Sequence, residues 1–527
     1  MHDEAIRDLA RTRLGFRRLR AGQLEAVAAA VAGRDVLAVL PTGGGKSAIY
    51  ELAGLMRDGP TVVVSPLIAL QDDQLAHLHS AGLTAVVLNS QQGARAHAAA
   101  LAESSDPDAF VFLSPEQLSN ARAREALQRA RPGLFVVDEA HLISQWGHDF
   151  RTDYMRLGAQ ADALDVPARM ALTATAAEPV RLEICRRLGL RDPEVVVGDF
   201  DRPHIELSAR RVRSEEEKGR ALAEAAAELD GPGIVYAATH AHAEEARNTL
   251  AVEGHRATLY HAGLPAHVRH EAMGAYLDGS ARIVAATVAF GMGIDKPDVR
   301  WVLHMDPPPS LDSYYQEIGR AGRDEEPAHA RLLHRQEDFG AAVHLTSRPV
   351  STAALQRVAG QLASGEVVPA TRQVTAALVR LVDLGAAVWD ADGEVRWTGA
   401  SSAAAAVAAS EAETKREIEI ERTRLEMMRR YAEHTGCRRS FLLSYFGQDY
   451  PGPCGNCDND RRVGGAEQYE ARPFAVGERV ASGRWGEGTV QRYDGDQVTV
   501  LFDDHGYRDL LVPLVVERQL LRRVSDG

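Results

Sequence analysis

Lysine is nearly absent from this chain: of 60 basic residues only four are lysines, Lys46, Lys218, Lys296 and Lys415. With arginine used almost everywhere else, a retained lysine is a candidate for a geometry that a planar guanidinium cannot reproduce. Cysteine is scarce too. Three of the four cysteines, Cys437, Cys454 and Cys457, crowd into one stretch. That argues against a disulfide framework and for metal in a reducing, cytoplasmic setting. No apolar run approaches membrane-spanning length, so no span is expected. The opening MHDEAIRDLARTRLGF has no basic stretch followed by an apolar one, so no secretion signal is expected either. Positive charge is not in excess, with a formal net charge of −14. Net charge speaks to solubility and long-range steering, and a local basic groove can sit on an acidic protein. What is present, 45% hydrophobic and 25% charged residues over 527 positions, is the composition of a soluble globular protein of several domains.

Through residue 340 short apolar runs alternate with amphipathic helical stretches. Strands are expected at 35–40, 61–65, 84–88, 110–114, 134–138 and 170–174, and after Arg202-Pro203 again at 233–238, 257–261, 281–287 and 301–305. Apolar strands separated by helices imply parallel sheets covered on both faces. Two α/β domains are therefore expected, over 1–200 and 201–340. In 341–400 two helical stretches precede AVWDADGEVRW, whose Asp-Gly between β-formers predicts a hairpin. Helix, helix and hairpin fit a winged-helix-like module, with a plain helical connector as the alternative. Residues 401–462 read as an Ala-rich, then charged, helix running into a cysteine module. Short glycine-punctuated strands over 471–527 predict a small all-β barrel. Two polar features read as ordinary: Ser214-Glu-Glu-Glu-Lys218 as a solvated helix start, and Cys185 as a buried small residue.

After the first strand comes Pro41-Thr42-Gly43-Gly44-Gly45-Lys46-Ser47. A glycine-rich turn from strand to helix lets backbone N–H groups close around phosphates at the helix N-terminus. Lys46 would reach the β- and γ-phosphates, and the Ser47 hydroxyl would take Mg²⁺. Further on, LFVVD ends in Asp138-Glu139. Asp138 is placed to hold Mg²⁺, and Glu139 to orient and deprotonate the attacking water. The second α/β half carries Gln316-Glu-Ile-Gly-Arg320-Ala-Gly-Arg323. An arginine on a separate domain suits neutralising charge on the transferring γ-phosphoryl. These residues predict ATP with Mg²⁺ as cofactor.

At the far end the spacing of Cys437, Cys454 and Cys457 suits a metal, and the two-residue gap after Cys457 leads to Asp460. By spacing alone this is a zinc site with a carboxylate in its fourth corner, a broken one, or no site. His434, just upstream, is an alternative fourth ligand.

Taken in order, the phosphate loop, Asp138-Glu139-Ala140-His141, ALTATA (171–176) and QEIGRAGR resemble the motifs of superfamily 2 helicases. LGFRRLRAGQ (14–23), SQWGHDFRTDY (144–154) and the CRR…CGNCDN segment resemble the RecQ DNA helicases specifically. The resemblance implies two RecA-like domains that bind ATP–Mg²⁺ in their cleft. It implies that Arg20 and Gln23 read adenine, and that Thr42 to Ser47 and Gln316 belong to the nucleotide site. Trp146 and Phe150 would meet single-stranded DNA, where an aromatic face stacks on any base. His141 would connect the ATP site to that loop, and Asp295 belongs to the motif linking DNA and ATP sites. Ser65, Ser114 and Thr287 look like backbone-phosphate contacts. Cys437, Cys454 and Cys457 take the places of zinc ligands, and Asp460 stands where the family has its last cysteine.

The chain departs from the family pattern at that carboxylate, in the placing of the winged-helix-like segment before the zinc module, and in lacking an RNase D-like helical domain. Residues 474–512 resemble instead the Tudor-like domain of the UvrD/PcrA helicases, which engages RNA polymerase. That implies a protein-docking barrel whose removal leaves unwinding largely unchanged. The resulting expectation is a monomeric ATP-dependent DNA helicase of RecQ type, working 3′ to 5′ on single-stranded and partly duplex DNA in repair or recombination. Two alternatives stand beside it. One is a DEAH-type RNA helicase, and the other a polymerase-docking translocase that remodels without unwinding.

Overall fold

The computed structural model describes the chain except residues 1, 42, 67, 89–93, 144–151, 292–295, 341–349, 367, 369–371, 391–393, 463–471, 495–496 and 525–527. It divides into two compact units, Met1–Asp199 with Pro349–Lys415, and Phe200–Arg348 with Arg416–Gly527. No helix among the described residues is long and apolar enough to cross a membrane.

The first unit is built on seven parallel strands: β1 (Val36–Val39), β2 (Thr61–Val64), β3 (Ala85–Leu88), β4 (Phe110–Leu113), β5 (Leu134–Val137), β6 (Arg169–Thr173) and β7 (Glu194–Val197). Their order is β3-β4-β2-β5-β6-β1-β7. Every residue of β1 to β6 is buried, which is why each reads as a continuous apolar run. The edge strand β7, not among the expected strands, is half-exposed, with Val195 and Val197 facing outward at 45% and 41%. The helices Thr352–Ala363 and Arg372–Asp383 and a hairpin of Ala387–Trp389 with Val395–Trp397 appear as expected. They belong to this first unit. Asp383 accepts from Arg187 at 2.5 Å, and the Arg156 guanidinium lies 4.1 Å from the centre of the Trp389 ring. Burial pushes the Asp383 carboxyl up to about 6 even against Arg187.

The second unit holds six parallel strands: β8 (Ile205–Arg211), β9 (Gly233–Tyr236), β10 (Ala257–Tyr260), β11 (Ile283–Ala286), β12 (Trp301–His304) and β13 (Ala328–His334), in the order β10-β11-β9-β12-β13-β8. The β8 and β13 sequences, IELSARR and AHARLLH, interleave charge with apolar residues and so do not read as continuous apolar runs. Gly233 lies in register with Trp301, and a Cβ there would fall 2.0 Å from the indole, so only glycine lets β9 and β12 pair.

Lys218 corrects the reading of its segment. Ser214 caps the helix Glu215–Glu228 as expected, its side chain accepting from the Glu217 N–H at 3.2 Å. Lys218 itself is buried, with its side chain 1% exposed. Its ammonium donates to Asp306 at 2.8 Å and to Asp338 at 3.0 Å. Burial alone would raise the Asp306 carboxyl, yet His242 and Lys218 hold it well below the ordinary carboxylate range. This is a second position where a compact ammonium is used in an arginine-rich chain. Lys218→Met leaves two buried carboxylates without their shared cation. It should lower the urea-unfolding free energy by about 3 kcal/mol, and a loss below about 1 kcal/mol would make the pair incidental.

Helix Ala403–Glu433 leads to a second, Arg438–Tyr445, and the cysteine segment. That segment is stitched to the sheet: Leu207 of β8 bridges Cys457, and the Asn456 side chain donates to the Pro203 carbonyl at 2.9 Å. The C-terminal domain is an antiparallel sheet of Arg479–Ser482, Gly486–Asp494, Gln497–Phe502, Gly506–Leu511 and Arg522–Arg523 around its own apolar core. It is not a loosely attached tail. The Arg492 guanidinium lies 3.8 Å from the centre of the Phe441 ring, Tyr507 stacks on Tyr445 at 5.5 Å, and Arg508 pairs with Glu419 at 2.8 Å.

Candidate functional site

The phosphate loop turns between β1 and the helix Lys46–Leu55, with Gly43 and Gly45 both in left-handed backbone at φ 77° and 73°. The Gly44 N–H donates to the Pro41 carbonyl at 2.8 Å. A Cβ on Gly44 would meet that oxygen at 2.7 Å, and one on Gly45 the Gln23 amide at 2.5 Å, so the loop tolerates glycine alone here. Gln23 and Arg20, the expected adenine readers, both contact the loop. The Gln23 amide donates to the Gly45 and Gly44 carbonyls at 2.8 and 3.1 Å and accepts the Arg20 N–H at 2.7 Å. Arg20 in turn donates to the Gly43 carbonyl. Thr42 lies outside the described residues.

The acidic pair sits at the carboxyl end of β5, beside the loop. Glu139 adopts φ 49°, a left-handed conformation costly for a residue with a Cβ and often stored at functional sites. Its carboxylate stands 3.9 Å from the Lys46 ammonium and 3.3 Å from His141 Nδ1. His141 Nδ1 also lies 3.0 Å from the Thr173 hydroxyl, which donates to the Thr175 carbonyl at 3.0 Å. Thr173 is thereby the acceptor and Nδ1 the proton donor. The DEAH and ALTATA motifs are joined through this one imidazole. Burial first, and then the neighbouring Glu139, push Asp138 up to about 7, while Lys46 opposes the shift. A carboxyl so destabilised as an anion favours a divalent cation, which supplies the missing positive charge. Asp138 and Ser47 stand where they could hold Mg²⁺, and Lys46 and the loop N–H groups where they could hold phosphates.

In the second unit Arg320 is buried, donates to the Gly291 carbonyl, and depends on that glycine: a Cβ at Gly291 would lie 2.8 Å from its guanidinium. Gln316 lies on the helix Leu311–Ile318 just before it. On the same helix Glu317 pairs with the buried His304 at 2.6 Å, a contact that no motif spacing disclosed. Arg323 follows Arg320 after one further turn of chain.

Ser65, Ser114 and Thr287 each follow the carboxyl end of a strand, β2, β4 and β11 respectively, where ligands bind open α/β sheets. Backbone bonds hold two of them: Ser65 N–H to Leu113 O at 3.1 Å and Thr287 N–H to Tyr260 O at 3.2 Å. Trp146, Phe150 and Asp295 lie outside the described residues. Cys185 is half-buried on the helix Glu178–Leu188, with its thiol raised by burial, which suits the inert role expected of it.

Cys437, Cys454, Cys457 and Asp460 converge, their ligand atoms all within 4.8 Å of one another. Tetrahedral zinc with bonds of ~2.3 Å has ligand–ligand edges of ~3.8 Å, so a small inward adjustment suffices. Asp460 is oriented by two main-chain donors, the Cys454 and Gly455 N–H groups at 2.7 and 3.0 Å. Such support is what a metal-ligating carboxylate needs. His434 is not in the cluster; its ring packs 4.9 Å from that of Phe441. The donor set of three thiols and one carboxylate fits zinc.

Comparison with known proteins agrees with this geometry. Residues 20–182 match the DEAD/DEAH box helicase family, 217–325 the helicase conserved C-terminal domain, and 401–461 the RecQ zinc-binding family. The chain is 33% identical over 448 residues to the ATP-dependent DNA helicase RecQ of Pasteurella multocida, covering 84% of this chain and 60% of that protein. It spans 61% of the Haemophilus influenzae RecQ at the same identity. With the probable ATP-dependent DNA helicase RecS of Bacillus subtilis it shares 33% identity over 444 residues, 84% of this chain and 88% of that one. Among solved structures, the Mycobacterium smegmatis helicase Lhr bound to ssDNA and AMP-PNP has the same fold, with a TM-score of 0.52 at 20% identity over 79% of this chain and 61% of that one. With its phosphate loop, DEAH motif and zinc cluster assembled as described and RecS matched over most of its length, the chain belongs to the RecQ family of helicases.

Proposed function

We propose that the protein is an ATP-dependent DNA helicase that moves 3′ to 5′ along single-stranded DNA and unwinds duplexes in repair or recombination. The observation that carries this is the ATP site of the first unit, where Lys46 and His141 both reach Glu139. Lys46 leaves Glu139 for the phosphates when nucleotide binds, which frees the carboxylate to deprotonate water. His141 then relates the state of Glu139 to Thr173 and to the segment after DEAH, where Trp146 is assigned to DNA. Arg320 and Arg323 are assigned the charge on the transferring γ-phosphoryl, and Ser65, Ser114 and Thr287 the DNA backbone. Family membership favours DNA over RNA, as do the residues SQWGHDF. We place the protein in the cytoplasm, consistent with four cysteines free of disulfides, and take it to be a monomer. A protein partner for the C-terminal domain, RNA polymerase first, rests on the sequence likeness of residues 474–512 alone.

Two measurements test the reading. Duplexes with a 3′ overhang should be unwound and those with a 5′ overhang left intact. Translocation without strand separation would favour the remodelling alternative, and stronger stimulation of ATPase by RNA the RNA-helicase one. Trp146→Ala should leave basal ATPase largely intact and weaken its stimulation by single-stranded DNA, because a stacking contact of ~1–3 kcal/mol per base is lost. Stimulation equal to the parent protein would remove Trp146 from the DNA path.

A further inference from the structure

The helix Leu311–Ile318 carries Gln316 and leads into Arg320 and Arg323, yet its own anchoring comes from far along the chain. Asp312, 3% exposed, accepts from Arg424 at 2.9 Å and from the Tyr445 hydroxyl. Arg424 belongs to the long helix Ala403–Glu433 and Tyr445 to the helix Arg438–Tyr445. Behind Tyr445 stands the C-terminal domain: Tyr507 stacks on it with rings 5.5 Å apart at 26°, and both side chains are buried. Burial raises the Tyr507 phenol well out of its ordinary range, so it stays neutral beside the Arg424–Asp312 pair. Tyr507 is also held in place from its main chain, its N–H donating to the Thr423 hydroxyl at 3.2 Å. A parallel path runs from Arg492 over Phe441, through Tyr431, whose hydroxyl bonds that of Tyr314 at 3.4 Å on the same helix.

We propose that the C-terminal domain is a working part of the ATPase, whatever partner it also docks. Through Tyr507, Tyr445 and Asp312 it fixes the helix that places Gln316, Arg320 and Arg323, which makes Tyr445 and Tyr507 positioning residues. This rests on the reading that Arg320 and Arg323 act on the γ-phosphoryl. The physical case is that the chain is polar, buried and aimed at one helix. A purely structural interface has no need of a buried carboxylate with two donors from separate elements, since apolar packing serves as well. A charge-stabilising arginine, by contrast, loses its effect when displaced by a fraction of an ångström to an ångström.

The test is DNA-stimulated ATP hydrolysis by the full-length chain carrying Tyr445→Phe, Tyr507→Ala or Tyr507→Phe, with Arg320→Ala alongside. Tyr445→Phe removes only the hydroxyl that reaches Asp312, and Tyr507→Phe keeps the stack. Tyr445→Phe and Tyr507→Ala should lower kcat about tenfold with KM for ATP changed less than about twofold, while Tyr507→Phe turns over like the parent. Zinc content and cooperative melting should be retained. Should Tyr507→Ala fail to melt cooperatively, Tyr445→Phe alone decides. Parental kcat in Tyr445→Phe overturns the proposal, and so does a fall in kcat that comes with zinc loss, because the role is then structural. Full activity in Arg320→Ala would strike at the arginine assignment instead, which separates the two failures.

Discussion

Lys46→Ala and Glu139→Gln should each lower ATP hydrolysis by about 10³-fold or more, the largest single-residue effects expected in this protein. They should do so differently. In the proposed reading Lys46 supplies the ammonium for the β- and γ-phosphates, so its loss should weaken nucleotide binding as well as turnover. Glu139→Gln removes only the carboxylate proposed to deprotonate water. The amide keeps the size of the side chain, and the Asp138 carboxylate that favours Mg²⁺ is untouched. Glu139→Gln should therefore bind nucleotide with near-parental affinity and fail to hydrolyse it. Its release of the Lys46 contact, 3.9 Å in this structure, should if anything tighten binding. Equilibrium binding of a fluorescent nucleotide beside steady-state hydrolysis separates the two, and near-normal turnover by either variant would sink the ATPase assignment.

Removal of the zinc should be the largest change in stability. The purified protein should contain about one zinc per chain, and stripping it with a chelator should lower the melting temperature by ~10 °C or more. Cys457, fully buried, bridges β8, and the Asn459 side chain donates to the His434 and Gly436 carbonyls at 2.7 and 2.8 Å. Without the ion, three thiols and a carboxylate face one another with only weak hydrogen bonds in place of coordination, and the order of this whole segment is put at risk. Asp460→Ala should still bind zinc but release it to a chelator sooner, since three thiolates remain. Identical melting of the apo and zinc-loaded protein would make the site vestigial. Unchanged release from Asp460→Ala would pass the fourth corner to water or another side chain.

Much of this was legible in the residues. Short apolar runs between helices are readable as strands, so ten of the thirteen parallel-sheet strands could be placed from sequence alone, while the half-exposed β7 and the charge-interleaved β8 and β13 could not. The phosphate loop, the acidic pair after β5 and the cysteine spacing were readable for a related reason. Each is a short stretch whose chemistry requires particular residue types at fixed separations, and backbone geometry then delivers them to one place. The likeness to a family extended that to Gln23 and His141, which the structure brings to the loop and to Glu139.

The polar interior was not legible. Lys218 meets Asp306 across 88 residues, Asp312 meets Arg424 across 112 and Tyr445 across 133. Nothing local distinguishes a lysine in a run of glutamates that will be buried from one that will be solvated, because the difference lies in partners that only the fold supplies. The rarity of lysine was the one hint, and it pointed to Lys46 first. The same holds for the C-terminal domain, whose strands and turns follow from its glycines and alternating residues. That Tyr507 would stack on Tyr445, whose hydroxyl reaches Asp312 on the helix that leads into the arginine motif, was decided by packing between elements remote in sequence, where burial makes a few hydrogen bonds and ring contacts strong enough to specify one arrangement.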